Sequence, residues 1–170
     1  MQNLELKARY PDLKEAKKRV ALLKARFEKR LHQIDTYFKV STGRLKLREI
    51  NANFAQLIYY LRSDQVNFKL SEYEIYTLKD EVEKLKRILG NCLGVFKVVE
   101  KTREVFWYKN IRIHLDQVKG LGNFLEFEGV LSKQFNETAT RKELVLLQKH
   151  FHIPKEALIE VSYAEMIIKS

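Results

Sequence analysis

Apolar and charged residues alternate along much of this chain. Leu4 and Leu6 fall on one side of an extended segment, and Glu5, Lys7 and Arg9 on the other. The same period of two recurs at Arg44, Lys46 and Arg48 against Leu45 and Leu47. It recurs again at Arg112, His114 and Asp116 against Ile111, Ile113 and Leu115, and at Phe124, Glu126 and Glu128 against Leu125 and Phe127. Further strands are expected at Gln33–Val40, Phe54–Arg62, Glu72–Thr77, Val95–Arg103 and Glu104–Tyr108. Within them Ile58, Tyr60 and Arg62 share a face, Glu72, Glu74 and Tyr76 share a face, and Lys101 pairs with Arg103.

Helical spacing appears in three places. Asp12, with Glu15 three residues on, caps a helix expected to run through 14–30, with Val20, Leu23, Phe27 and Leu31 as its apolar stripe. Leu78–Leu89 reads as a second helix ended by Gly90, and the tail from Thr140 holds two stretches split near Ile153-Pro154. Turns are expected at Ser41-Thr42-Gly43, Asn51–Asn53, Lys109-Asn110 and Lys119–Gly122, with a polar loop from Asp64 to Lys69. About eight strands with short connections make a mainly antiparallel sheet, an α+β chain.

The strand faces hold Arg, Lys and Glu where a water-facing sheet would mix in Ser, Thr and Gln. A single such strand is an ordinary amphipathic one. A series of them suits a barrel whose apolar residues face outward onto helices and whose charged faces meet inside. Like charges gathered there would be costly unless paired or neutralised by ligand. The cations suit a polyphosphate, and the carboxylates suit Mg²⁺ or Mn²⁺, which take oxygen ligands.

Composition narrows the partner. The chain has 170 residues, with 32 Lys plus Arg against 22 Asp plus Glu, a formal net charge of +10. An excess of that size favours an anionic ligand. Carboxylates on the inner faces argue against a nucleic-acid backbone as that ligand. One cysteine, Cys92, precludes an internal disulfide, and the N-terminus MQNLELKARY lacks an apolar leader. The expectation is a cytoplasmic protein without a membrane span, acting as a monomer or homodimer. No Walker loop, zinc cluster or nucleophile elbow is present.

The ordered motifs resemble a known family. Asn3-Leu4-Glu5-Leu6-Lys7 is similar to the E-x-E-x-K opening of the CYTH superfamily, the triphosphate tunnel enzymes. These include class IV adenylyl cyclases, thiamine triphosphatases and inorganic triphosphatases. The series continues through Gln33-x-Asp35-x-Tyr37-Phe38, Arg44-x-Lys46-x-Arg48-Glu49, Tyr60-x-Arg62, Glu74, Glu100-Lys101-x-Arg103 and Arg112-x-His114-x-Asp116. It ends with Gly120-Leu121-Gly122-x-Phe124-x-Glu126-x-Glu128 and Ser162-Tyr163.

The resemblance implies an eight-stranded antiparallel tunnel with outer helices, one CYTH-like domain over 1–170. It implies divalent metal on Glu5, Glu74, Glu126 and Glu128. Phosphate would be held by Lys7, Arg9, Lys46, Arg48, Arg62, Lys101, Arg103 and Arg112, with Lys101, Arg103, Asp116 and Glu126 in the catalytic centre. The segment from Arg112 to Glu128 looks most like the class IV cyclase branch, which converts ATP to cyclic AMP and pyrophosphate. A triphosphatase acting on inorganic, thiamine or nucleoside triphosphate is the alternative, and a non-catalytic polyphosphate binder a third. Asn3 departs from the opening motif, where the family has a carboxylate. His114 reads as a hydrogen-bonded wall residue, with a general base as the alternative, and Trp107 and Tyr108 as aromatics packed under a helix, with stacking on a nucleobase as the alternative.

Overall fold

The computed structural model of the chain describes residues 2–62 and 68–167. Eight strands close into an antiparallel barrel: β1 (Gln2–Arg9), β2 (Arg26–Phe38), β3 (Arg44–Ile50), β4 (Phe54–Arg62), β5 (Lys69–Leu78), β6 (Val95–Tyr108), β7 (Ile111–Val118) and β8 (Gly122–Val130). Around the barrel their order is β1-β5-β4-β3-β2-β6-β7-β8. Four helices lie outside: α1 (Leu13–Leu22), α2 (Val82–Leu93), α3 (Glu137–His150) and the short α4 (Tyr163–Met166). Among the described residues no helix is long and apolar enough to cross a membrane.

The apolar faces of the alternating strands do point outward, as the sequence implies. Leu4 and Leu6 of β1, Ile113 of β7, and Leu125 and Phe127 of β8 are buried against Ala16 and Val20 of α1 and Leu144 and Leu147 of α3. Burying each such side chain contributes about 1.5–3 kcal/mol, so this shell holds the fold while the charged faces stay inside. A second outer cluster sets Phe38, Leu47 and Ala55 under Val82, Leu85 and Leu89 of α2. At one end of the barrel Tyr37, Val99, Val118 and Phe124 pack with Tyr163 and Ala164 of α4, so the C-terminal turn caps that end. Ser162 and Glu165 form a reciprocal capping box that starts α4, and Glu165 also pairs with Arg44 at 2.9 Å.

Several boundaries differ from the sequence reading. Asp12 caps α1, accepting from the backbone of Lys14 and Glu15, while the Glu15 side chain pairs with Arg19. The helix ends at Leu22, not 30, because Lys24 turns the chain through a positive φ of 54° and strand β2 begins at Arg26. Phe27 and Leu31, expected on a helix, are strand residues paired with Phe106 and Arg103. The expected helix Leu78–Leu89 begins four residues later, since Leu78 closes β5, and Gly90 lies inside α2. Val95–Tyr108 is one continuous strand rather than two. Most of the expected loop from Asp64 to Lys69 lies outside the described residues.

Candidate active site

Strand pairing brings the inward side chains together. Within β1 and β8, Glu5 registers with Glu128 and Lys7 with Glu126. β7 adds Arg112 beside Glu128 and His114 beside Glu126. β6 places Arg103 beside Asp116, and β3 places Arg48 beside Asp35 of β2. The result is a cavity of about 560 Å³ lined by Glu5, Lys7, Lys46, Arg48, Lys101, Arg103, Arg112, Glu126 and Glu128, among others. That is ample for a nucleotide-sized ligand.

Each cation in this wall is held by a carboxylate. Arg48 grips Asp35 through two bonds of 2.7 Å, and Lys46 adds a third at 3.1 Å. Burial would raise the Asp35 carboxyl, but Arg48 and Lys46 outweigh it and hold it well below the usual range. Arg103 grips Asp116 at 2.6 and 2.5 Å and reaches Glu126 at 3.2 Å. The Tyr163 hydroxyl donates to Asp116 at 2.9 Å, and Lys7 and Lys101 sit over the Tyr163 ring. Against burial, Arg103 and Lys101 hold the Asp116 carboxyl well below the usual range.

The lysines are poised. Burial, reinforced by Arg103, pulls Lys101 down to about 7. Burial and Arg48 pull Lys46 down to about 8. Both would regain full charge beside a polyphosphate.

The carboxylates of β1 and β8 form the opposite pole. Glu126 is paired with Lys7 at 3.8 Å, and Lys7 and Arg103 keep it ionised against the pull of burial. Burial raises Glu128, with Glu5 and Glu126 adding to the rise. Glu128 is meanwhile held by Arg112 at 2.7 Å and by the Asn3 amide, which donates to the same oxygen. His114 lies 3.8 Å from Glu126 and 3.6 Å from Glu128, but burial and Arg103 lower it to about 4. It is therefore a neutral wall residue near neutral pH, not an ionic partner.

The oxygen set fits a hard divalent cation. Asn3 Oδ1 is buried and has no hydrogen-bond partner, a spare acceptor on a cavity-lining residue whose amide donates to Glu128. Among the described residues no three His, Cys, Asp or Glu converge as a ready metal cage. Arg112 and Lys7 now occupy the carboxylates a metal would use.

Two expected site residues, Glu74 and Arg9, fall elsewhere, and a third, Asp116, lies within the wall. Glu74 is exposed on the outer surface, because Ser71, Tyr73 and Ile75 are the inward residues of β5. Its neighbours are Tyr59, Leu61 and Glu72, so it is not a metal ligand from inside the barrel. Arg9 shares its strand face with Lys7 but lies past the capped end, exposed over Phe124 and bonded to the Leu121 carbonyl. Asp116, expected among the catalytic groups, is fully buried behind Arg103 and positions it. The side chain of Arg62 lies outside the described residues. Trp107, expected under a helix, is instead partly exposed and adjoins the cavity without being part of its lining, its indole donating at 2.8 Å to Glu28, which does line it.

Asp35 and Tyr163 organise the wall although neither was given a role from sequence. Asp35 alternates with Gln33 and Tyr37, which marked its face but not its partners.

The CYTH domain family matches residues 1–163. The chain belongs to the CYTH family. The chain is 26% identical over 175 residues to a Methanocaldococcus jannaschii protein named "Putative adenylate cyclase", with 98% of each covered. A Pyrococcus horikoshii protein of solved structure has the same fold, with a TM-score of 0.85 at 23% identity, covering 96% of this chain and 98% of that one. A Hippeastrum protein, named as a putative adenylyl cyclase and described as having a dominant triphosphatase activity, superposes with a TM-score of 0.67 at 14% identity. That match covers 98% and 94% of the two chains.

Proposed function

We propose that this chain is a metal-dependent enzyme that takes ATP into its barrel and converts it to cyclic AMP and pyrophosphate. The observation that carries the reading is the polarity of one cavity. Lys7, Lys46, Arg48, Lys101 and Arg103 gather toward its capped end, while Glu5, Glu126 and Glu128 line the β1–β8 side. Toward the other end Leu31, Ile50, Phe54 and Val105 make an apolar collar suited to a nucleoside. The Methanocaldococcus relative's name supports the same branch.

In this reading the five cations hold phosphate oxygens, Arg112 stays on Glu128, and Asp35 and Asp116 fix the forks of Arg48 and Arg103. Glu126, Glu128, Glu5 and the Asn3 amide oxygen would hold Mg²⁺ or Mn²⁺, which when bound supplies Lewis-acid polarisation of a phosphoryl oxygen. The ribose 3′ oxygen bonds to the α-phosphorus, the bridge to the β-phosphate breaks, and the hydroxyl proton passes to solvent. Lys101 and Arg103 stabilise the charge that develops on the departing pyrophosphate.

Hydrolysis of a triphosphate is the second reading. The cation cluster alone would suffice for it, and the activity described for the Hippeastrum protein supports it. Product analysis separates the two after incubation with ATP, thiamine triphosphate or inorganic triphosphate, each with Mg²⁺ and with Mn²⁺. Cyclic AMP with pyrophosphate is the expected outcome. Orthophosphate alone would establish the hydrolase, and no product from any substrate would overturn both. Glu126→Ala is expected to abolish turnover while the protein stays folded.

A further inference from the structure

The barrel wall is taller on one side than on the other. β3 ends at Ile50, which registers with Gln33 of β2. The part of β2 from Arg26 to His32 therefore continues past β3, paired with β6 on its other side. A register shift between Phe27 and Lys29 leaves Glu28 as the extra residue, and both Glu28 and Lys29 end up lining the cavity. A bulge of this kind re-aims side chains at a barrel rim.

Along β6 the alternation runs Lys101, Arg103, Val105 and then Trp107. Lys101 and Arg103 belong to the charged zone and Val105 to the apolar collar. Trp107 is four residues beyond Arg103, roughly 13 Å along an extended strand. An inorganic triphosphate anchored on Lys101 and Arg103 has nothing to place there. A nucleotide anchored the same way has a base.

Trp107 is held in a defined pose. Its Nε1 donates to Glu28 at 2.8 Å, which fixes the ring edge. The Arg112 guanidinium lies 5.6 Å from the ring centroid, and the same Arg112 donates to Glu128 at 2.7 Å. The indole is thus tied through one side chain to the carboxylate pole, yet it stays partly exposed. A tryptophan serving packing alone would be expected among the buried outer clusters, as Phe127 and Phe151 are.

We propose that Trp107 is the base-recognition residue of this site: the nucleobase of a bound nucleoside triphosphate stacks on its indole while the phosphates occupy the level of Lys101 and Arg103. This rests on the nucleoside-triphosphate reading given above. Stacking is sequence-tolerant because every base presents a π face, so the subsite selects nucleotides over inorganic triphosphate rather than one base over another.

Trp107 is the chain's single tryptophan, so its emission reports on this place alone. The test titrates the protein with ATP and with inorganic triphosphate, each with Mg²⁺, by rapid-mixing fluorescence and by steady-state kinetics. ATP is expected to quench Trp107, and inorganic triphosphate to leave its emission unchanged. Trp107→Ala should weaken ATP by roughly tenfold in Kd or KM while leaving inorganic triphosphate within about twofold. Trp107→Phe should restore most of the ATP affinity. Equal quenching by both ligands, or a loss in Trp107→Ala that is the same for both or absent for both, overturns the proposal. Failure of wild-type protein to bind either ligand would instead defeat the triphosphate reading itself.

Discussion

Asp35 and Arg48 face each other across β2 and β3 and close a two-point ion pair, both bonds measuring 2.7 Å. Lys46 and Lys101 lean on the same carboxylate at 3.1 and 4.0 Å. Asp35 is thus the shared counter-charge for three cations on two strands, Lys46 and Arg48 of β3 and Lys101 of β6. Breaking a buried arrangement of this kind costs about 3–5 kcal/mol. Asp35→Asn is expected to lower Tm clearly. Inorganic triphosphate returns negative charge to the same place, so it should raise Tm more in the variant than in the wild type. Equal ligand-induced shifts, measured by calorimetry, would count against the assignment.

The lowered Lys101 makes binding depend on pH. In the unliganded protein Lys101 gives up its proton as pH rises through about 7, far below the ordinary lysine value. A polyanion favours the cation, so binding takes up a proton above that pH, and affinity for inorganic triphosphate should fall as pH climbs from 7 toward 9. Calorimetric titration in buffers of different ionisation enthalpy would read the uptake directly. Lys101→Arg, which stays charged, should flatten most of this dependence, with Lys46 leaving a smaller residue near pH 8. In the unfolded chain Lys101 keeps its proton to higher pH, so its contribution to folding stability improves from pH 7 toward 10.

Asn3 sets the charge of the carboxylate pole. Its amide donates to Glu128, while its own oxygen is buried without a partner. Asn3→Asp would put a further negative charge beside Glu128, whose carboxyl is already raised by burial and by Glu5. The metal-free variant should melt at a lower temperature and bind Mn²⁺ more tightly, as titrated by electron paramagnetic resonance. Glu74→Ala, on the outer surface, should leave Mn²⁺ binding unchanged. Unchanged Mn²⁺ affinity in Asn3→Asp would remove Asn3 from the metal's surroundings.

The outer packing offers a test separate from ligand binding. A Cβ at Gly129 of β8 would overlap Thr140 Cγ2 on α3. Thr140 is buried, and its hydroxyl accepts from Asn110 at 3.0 Å, so it cannot swing away freely. Gly129→Ala is expected to cost about 1–3 kcal/mol by denaturant unfolding. Adding Thr140→Ser, which removes the offending methyl and keeps the hydroxyl, should recover much of it.

Strands with one apolar and one ionic face were legible in the sequence, because period two then has an unambiguous phase. β1, β3, β7 and β8 are of this kind, and they delivered Glu5, Lys7, Lys46, Arg48, Arg112, Glu126 and Glu128 to the cavity. β5 was not legible. Its outward residues Glu72 and Glu74 are acidic and its inward residues Tyr73 and Ile75 aromatic or aliphatic, an inversion of the other strands. Reading charge as inward therefore misplaced Glu74 by one position, and a one-residue slip reverses every side chain. The first half of β2 mimicked a helix because Phe27 and Leu31 happen to continue the spacing of Val20 and Leu23. Only the positive φ at Lys24 ends that helix, and no residue type announced it. The roles of Asp35 and Tyr163 needed partners many residues away, which spacing along one strand does not reveal.

The cap that α4 lays over Tyr37, Val99, Val118 and Phe124 gives the barrel a floor. A vessel with a floor fills and empties in order. Under the cyclase proposal, with the phosphates seated deepest and the nucleoside toward the rim, the cyclic nucleotide would be the first product able to depart and pyrophosphate the last. Pyrophosphate would then hold the very cations the next substrate needs, and its escape past the rim would set the pace of the proposed cycle.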